Sequence, residues 1–325
     1  MVSKEEYIKY IEELTSNDQG RIKMLHGKYL AVSFFAMFAG AFILLREVFL
    51  FVTFHYVYFS FKFVIGIILI ISGIIILVIR NKNKKYCRNM YREKAINYIL
   101  KDYDHYFNKD GWAMSWNFEH SQISKKFDLC SSSDCLIVNI PNDDGSSSKV
   151  DFKICDLYAY NFYRDKEGNV SHDKVYEGMF GCVEFPRKFK CVLCIDVNYK
   201  IKGIQLEKVE LENIKFNKTF KVKSDNQIEA RYILTPKMME KLLFLENKFN
   251  NLRVVFIDNY LYIGAEDINM FELCDLENEN VISVFEGLYE EINVILKIVE
   301  EIRDNNKVFK TSRKKRVKKI KEEEK

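Results

Sequence analysis

Residues 150–163 read "VDFKICDLYAYNFY". Val150, Phe152 and Ile154 alternate with Asp151 and Lys153, the period of two that lets a strand bury one face and wet the other. The stretch holds no Gly or Pro to break it, and aromatic and aliphatic residues fill it. Working outward, "CLIVNI" (135–140), "KVYEGMFGCVEF" (174–185) and "KFKCVLCIDV" (188–197) repeat the pattern. Between them lie "PNDDGSSS" (141–148), "RDKEGNVSHD" (164–173) and "PR" (186–187). Connections this short, rich in turn formers, predict an antiparallel meander. A further pair, "RVVFID" (253–258) and "YLYIGAE" (260–266), meets at Asp258-Asn259 and predicts a tight hairpin.

Downstream, Val281, Phe285, Leu288, Ile292, Ile295, Val299 and Ile302 recur four and three apart, an apolar stripe along one long helix. Too few heptads are present to favour a coiled coil with a second chain, so the stripe is expected to pack on the chain's own sheet.

Upstream the character changes. "LAVSFFAMFAGAFILL" (30–45) and "FVIGIILIISGIIILVI" (63–79) carry no charge, and each approaches the roughly 17–25 residues that cross hydrocarbon as a helix. Arg21, Lys23 and Lys28 precede the first run, and Arg80, Lys82, Lys84, Lys85 and Arg88 follow the second; Arg46 and Lys62 alone lie between. By the positive-inside rule both ends face the cytoplasm. The expected organisation is therefore an amphipathic helix at 1–29, a two-helix transmembrane hairpin at 30–80, a helical stalk at 81–110, a cytosolic α+β domain at 111–306 and a basic disordered tail at 307–325. The fold class is a membrane-anchored α+β protein in a bacterial cell membrane. In the first segment Tyr7, Ile8, Ile11 and Leu14 share a helix face, and in the stalk "DYDHYF" (102–107) is read as a solvated helix face rather than a metal site.

The net charge of +4 is an average over unlike parts: from Lys307 onward ten Lys/Arg face three Glu, so the tail is +7 and the remainder −3. Arg313, Lys314, Lys315 and Arg316 are the densest basic group and the expected contact for anionic lipid. Nucleic acid is an unlikely partner, because no nucleic-acid-binding fold accompanies that charge. Eight cysteines lie without a disulfide framework, which points to reduced thiols. Cys191 and Cys194 in "CVLC" have no second Cys/His pair at zinc spacing and are read as buried residues of a strand.

"FKVKSDNQIEARYILTPKMMEKL" (220–242) is the most densely patterned soluble stretch. Ser224 with Gln227 predicts a capping box, and Thr235 with Pro236 predicts the start of a second helix reaching Phe249, with Leu234 and Met239 as its hydrophobic staple. Asp225, Glu229 and Arg231 are the site candidates left once those elements are built.

This stretch, the preceding "LENIKFNKT" (211–219), "VYEGMFGCVEFPRKFK" (175–190) and "YLYIGAEDINMFE" (260–272) resemble the bacterial two-span membrane proteins catalogued as domain of unknown function 3137. The resemblance implies location and architecture, and carries over no residue role.

No phosphate-binding Gly-rich loop, HExxH, GxSxG or Cys/His pair of recognisable spacing occurs, and five histidines stand in unlike contexts. No cofactor or metal is expected. Trp112 and Trp116, four apart, are read as packing at the membrane interface or in the core. The function expected is a membrane-tethered cytosolic binding or interaction module for a protein or small ligand. The alternative is a membrane-bound hydrolase using Asp225 and Glu229.

Overall fold

In a computed structural model, residues 2–17, 27–54, 61–141, 149–197, 203–271 and 281–310 are described. The chain divides into two units, Met1–Ile99 with Glu272–Gly287, and Leu100–Phe271 with Leu288–Lys325.

The first unit is helical. Helix α1 (Lys4–Ser16) starts at Ser3, whose Oγ accepts the Glu6 N–H at 3.2 Å. Tyr7 and Ile11 are fully buried, while Ile8 and Leu14 flank them half-buried. Helix α2 spans Gly27–Phe54 and α3 spans Phe61–Ile99. Both are long and apolar enough to cross a membrane. Arg46 therefore lies inside α2, and the expected stalk continues the second apolar run as one helix. The two helices approach through small residues: a Cβ on Gly40 would sit 2.6 Å from the Gly66 carbonyl oxygen, and one on Gly73 would sit 2.8 Å from that of Ser33. Ser33 is fully buried, its Oγ donating to Leu30 O at 2.7 Å. Against α3, α1 stacks Tyr10 on Tyr98 at 3.9 Å, and the Tyr98 hydroxyl donates to Glu6.

In the second unit the sheet begins earlier than expected. Helix α3 stops at Ile99, and Asp104–Asn108, read above as helical, form strand β1. The deciding contacts are distant. Asp104 pairs in register with Asn139, and Phe107 packs edge-on against Phe271 at 5.5 Å. The other strands are β2 (Leu129–Pro141), β3 (Lys149–Arg164), β4 (Val170–Glu184), β5 (Leu193–Ile195), β6 (Glu207–Lys208), β7 (Val222–Ser224), β8 (Leu252–Ile257) and β9 (Tyr260–Glu266). They form one sheet in the order β1-β2-β3-β4-β9-β8-β5-β7-β6, antiparallel at each pairing. The meander and the β8–β9 hairpin match the alternation in the sequence. The "KFKCVLCIDV" run does not: only three of its residues pair as a strand, although Cys191 and Cys194 are both buried free thiols.

Helices α4 (Ser115–Ser121), α5 (Ile214–Thr219), α6 (Gln227–Ile233), α7 (Pro236–Phe249) and α8 (Val281–Asp304) complete the fold. On one face of the sheet, Met114 and Phe118 close over Tyr176, Phe180, Val255 and Tyr262. Alternation turns Val254 and Phe256 to the other face, where they too are buried. Helices α7 and α8 are joined by Lys241–Glu301 and Lys248–Glu290 ion pairs. Leu288, Ile292, Ile295, Val299 and Ile302 are buried within the chain, as the stripe predicted.

Candidate functional site

The 220–242 stretch is a joint built on backbone hydrogen bonds. Val192 N–H donates to Asp225 Oδ1 at 2.8 Å, and Ser224 Oγ donates to Val192 O at 2.7 Å. Ser224 is thus a buried strand residue. The cap of α6 is Asn226, whose Oδ1 accepts from Ile228 N and Glu229 N at 3.1 and 3.2 Å. The capping box read at Ser224 is corrected accordingly: the Val192 carbonyl, just before β5, claims the Ser224 hydroxyl, and Asn226 is the better-placed acceptor. Thr235 caps α7 as expected, with Pro236 in its first turn and Leu234 and Met239 both buried.

Of the three candidates here, Glu229 pairs with Lys190 at 3.4 Å. Arg231 instead donates to the carbonyls of Gln227 and Glu210 at 3.2 and 3.1 Å. Cys191 lies in the same joint, and burial pushes its thiol up to about 11; a Ser224 hydrogen bond opposes this while Asp225 and Glu229 add to it. Arg313, Lys314, Lys315 and Arg316 lie outside the described residues.

A second constellation was not singled out from the sequence. Helix α4 carries Trp116 and His120 one turn apart, and β9 carries Tyr260 and Tyr262 on one face. Trp116 and His120 rings stack at 4.9 Å and 9°. Tyr260 meets Trp116 edge-on at 5.6 Å and lies parallel to Tyr262 at 5.6 Å. Trp116 is 57% exposed, so the shelf presents an indole to solvent over a buried Tyr262. Trp112 is exposed as well, so neither tryptophan is buried in the core.

The polar contacts form a chain. His120 Nδ1 lies 2.8 Å from the Tyr262 hydroxyl, and His120 Nε2 lies 3.6 Å from Asp258 Oδ2. Burial pushes the Tyr262 phenol far above its ordinary range, with Cys182 adding to it. The hydroxyl therefore keeps its proton, and the direction of its bond with Nδ1 follows the His120 tautomer. Lys188 Nζ reaches Asp258 Oδ1 at 2.9 Å and holds that carboxyl below its ordinary value. Beneath the shelf, Asn117 Nδ2 donates to Cys182 Sγ at 3.2 Å, and burial pushes that thiol up to about 12. At the rim, Asn259 Nδ2 donates to Glu184 Oε1 at 3.3 Å. Burial and a hydrogen bond to Glu184 push the Tyr260 phenol up to about 12.

Neither Cys182 nor Tyr262 is an exposed nucleophile: both are buried and both hold their protons. What the shelf offers is a rigid aromatic surface bordered by Glu184, Asp258, Lys188 and Asn259, a composition suited to binding. The sequence signal for it is slight: Trp116 and His120 four apart in a seven-residue helix, and Tyr260 and Tyr262 two apart in a strand.

Residues 174–303 match the family described as Protein of unknown function (DUF3137). The match contains the 220–242 joint and the β9 side of the shelf, but not α4. No curated protein matches the chain. Among solved structures, a crystal structure of the mycobacterial trehalose monomycolate transport factor A, TtfA, is similar at 9% identity with a TM-score of 0.32; 62% of this chain and 94% of that one are covered.

Proposed function

We propose that this chain, whose residues 174–303 match that family, is a membrane-tethered binding or interaction module. Helices α2 and α3 form a hairpin across the bilayer with both ends on the cytoplasmic side, and the sheet-bearing unit offers the Trp116–Tyr260 shelf to a protein or small ligand.

One observation carries the tether: the residues of α2 and α3 that face away from the helix pair are large and apolar, with Phe35 76%, Phe38 78%, Phe42 72% and Ile68 58% exposed. An apolar band of this kind is unfavourable in water and favourable in hydrocarbon. The basic flanks read from the sequence support the orientation.

Native Cys87 is fully buried and does not report sidedness. Cysteines placed at Ser60, between the helices, and at Lys9, exposed on α1, do. In intact cells a membrane-impermeant maleimide is expected to label Ser60→Cys, and to label Lys9→Cys only after permeabilisation. The reverse pattern overturns the orientation, and release of the protein from membranes by alkaline carbonate overturns the tether.

A further inference from the structure

Two of the buried thiols stand together. Strands β2 and β3 run in antiparallel register from Leu129 opposite Tyr160 to Ser133 opposite Asp156, and resume with Leu136 opposite Ile154. At the break, Asp134 and Cys135 of β2 oppose Cys155 alone on β3, the two-against-one arrangement of a β-bulge. Asp134 adopts the left-handed conformation there, at φ 51°. Cys135 and Cys155 are fully buried, and both belong to the core that Phe118 closes, so they share one face of the sheet. Both thiols are free, and a thiol–thiol hydrogen bond joins them. Residues opposed across antiparallel strands have Cα atoms about 4.5–5.5 Å apart, inside the roughly 4.4–6.8 Å that a disulfide spans.

The neighbouring sulfurs are placed worse. Cys182 opposes Lys153, which makes it only a diagonal neighbour of Cys155, at about 7–8 Å. Cys130 opposes Ala159, four residues along β3 from Cys155, or about 13 Å at the ordinary strand rise. Within the pair, the surroundings separate two roles. The Cys155 hydrogen bond and the charge of Lys153 hold the Cys135 thiol below its ordinary value, against the opposing effect of burial. The bond to Cys135, burial and the nearby Cys135 and Asp156 charges hold the Cys155 thiol well above its own. Cys135 therefore loses its proton first and is the nucleophile, while Cys155 keeps its proton, with Phe180 O at 3.7 Å as a further acceptor.

We propose that Cys135 and Cys155 are a redox modification site, which hydrogen peroxide closes into a disulfide across the β2–β3 bulge and a dithiol reductant reopens. The Cys135 thiolate attacks one peroxide oxygen; the O–O bond breaks, a sulfenic acid forms, and the departing hydroxide leaves as water with the proton Cys135 gave up. The Cys155 sulfur then attacks the Cys135 sulfur, the S–O bond breaks, and the hydroxide leaves as water with the Cys155 proton. Two thiols are oxidised and one peroxide is reduced to two waters. The bulge is also where the support of the shelf is attached. Asp134 N–H donates to Lys109 O at 3.1 Å, Ser132 Oγ donates to Trp112 O at 2.5 Å, and Ser115 Oγ donates to Cys130 O at 3.5 Å. A bond at Cys135 thus pins the strand segment on which residues 109–115, and with them the start of α4, are held. The bond itself does not depend on the shelf being a binding surface; only its bearing on a ligand does.

The test treats the full chain in detergent with hydrogen peroxide and then blocks the remaining thiols. The natural chain is expected to lose two titratable thiols, with a Cys135–Cys155 link in its peptide map that dithiothreitol removes. Cys135→Ala and Cys155→Ala are each expected to abolish the link, and Cys130→Ala to leave it. In Cys155→Ala, dimedone is expected to trap a sulfenic acid on Cys135; in Cys135→Ala none is expected on Cys155. Amide exchange at Asp134 is expected to slow on oxidation and to recover on reduction. A natural chain that keeps all its thiols while folded, a link that forms only in denaturant, or one that joins Cys130 or Cys182 instead overturns the proposal. The mapped link in the natural chain decides this even where an alanine variant fails to fold. A link that leaves exchange at Asp134 unchanged overturns the connection to the shelf. Carbonate extraction and maleimide labelling test the tether separately, so either reading can fail alone.

Discussion

Thr235 Oγ1 makes two contacts: it accepts the Met238 N–H at 3.1 Å and donates to Glu301 Oε1 at 2.7 Å. The first is the helix cap, worth about 0.5–2 kcal/mol against alanine. The second makes the hydroxyl proton matter. Thr235→Ser keeps both contacts and is expected to leave the thermal midpoint nearly unchanged, while Thr235→Ala lowers it. Thr235→Asp preserves the cap acceptor but sets a second carboxylate against Glu301, and is expected to be at least as damaging as alanine. Matching melts for the Asp and Ser variants would show that Glu301 does not sense the residue. Read from sequence alone, Asp passes as a good cap, because Glu301 lies 66 residues away. The same limit operates at Ser224 and Asn226. Local chemistry announced a cap, but only the distant Val192 carbonyl, by claiming the Ser224 hydroxyl, decided which residue supplies it.

At the scale of elements, the α2–α3 contact ranks its glycines. A methyl on Gly40 meets the backbone oxygen of Gly66, which cannot move without the helix, whereas a methyl on Gly66 first meets the side chain of Leu44 at 3.0 Å. Gly40→Ala is therefore expected to lower the melting temperature of the purified protein clearly more than Gly66→Ala, and an inverted order would mean the helices do not approach at Gly40. Helix α8 offers a pH test. Burial raises the Glu291 carboxyl from 4.5 to about 7; Lys248 opposes the shift and Glu290 adds to it. The folded state thus prefers the protonated acid, so Glu291 costs nothing below pH 4.5; its cost builds as pH rises from 4.5 to about 7 and is complete above that. Glu291→Gln is expected to match the parent near pH 4.5 and to exceed it at pH 8 by on the order of 2 kcal/mol. Denaturant melts at the two pH values decide it, and equal stability at pH 8 would sink the idea. Elements with a long period were legible, as the buried stripe of α8 and the alternation of β3 show. Short ones were not: β1 has five residues and α4 seven, too few to display a period, and their identity comes from β2 and from the core under Phe118. The shelf was hidden for the same reason, with His120 and Tyr262 separated by 142 residues and joined only by the fold.

At the scale of the molecule, composition marks the apolar hairpin off from the rest, yet the two units are not two stretches of chain. The first unit takes in Glu272–Gly287, and with it the opening turns of α8. Within that unit Phe285 lies edge-on to Tyr91 at 6.4 Å, and Glu286 pairs with Lys4 at 3.8 Å. Within the second unit, the later turns of α8 hold Lys248, Lys241 and Thr235 through Glu290 and Glu301. A chain starting at Leu100 therefore removes every partner named for Phe285 and Glu286 while leaving those of Glu290 and Glu301 intact. It is expected to keep the nine-stranded sheet and a cooperative melt, and to lose amide hydrogen-exchange protection at Phe285, Glu286 and Gly287 while retaining it from Ile292 to Ile302. Removing Tyr91 alone, as Tyr91→Ala in the full chain, is expected to weaken protection at Phe285 in the same direction. Loss of protection along the whole of α8 in the shortened chain would mean that the helix depends on the first unit throughout, and that α7 and the sheet are not enough to hold it.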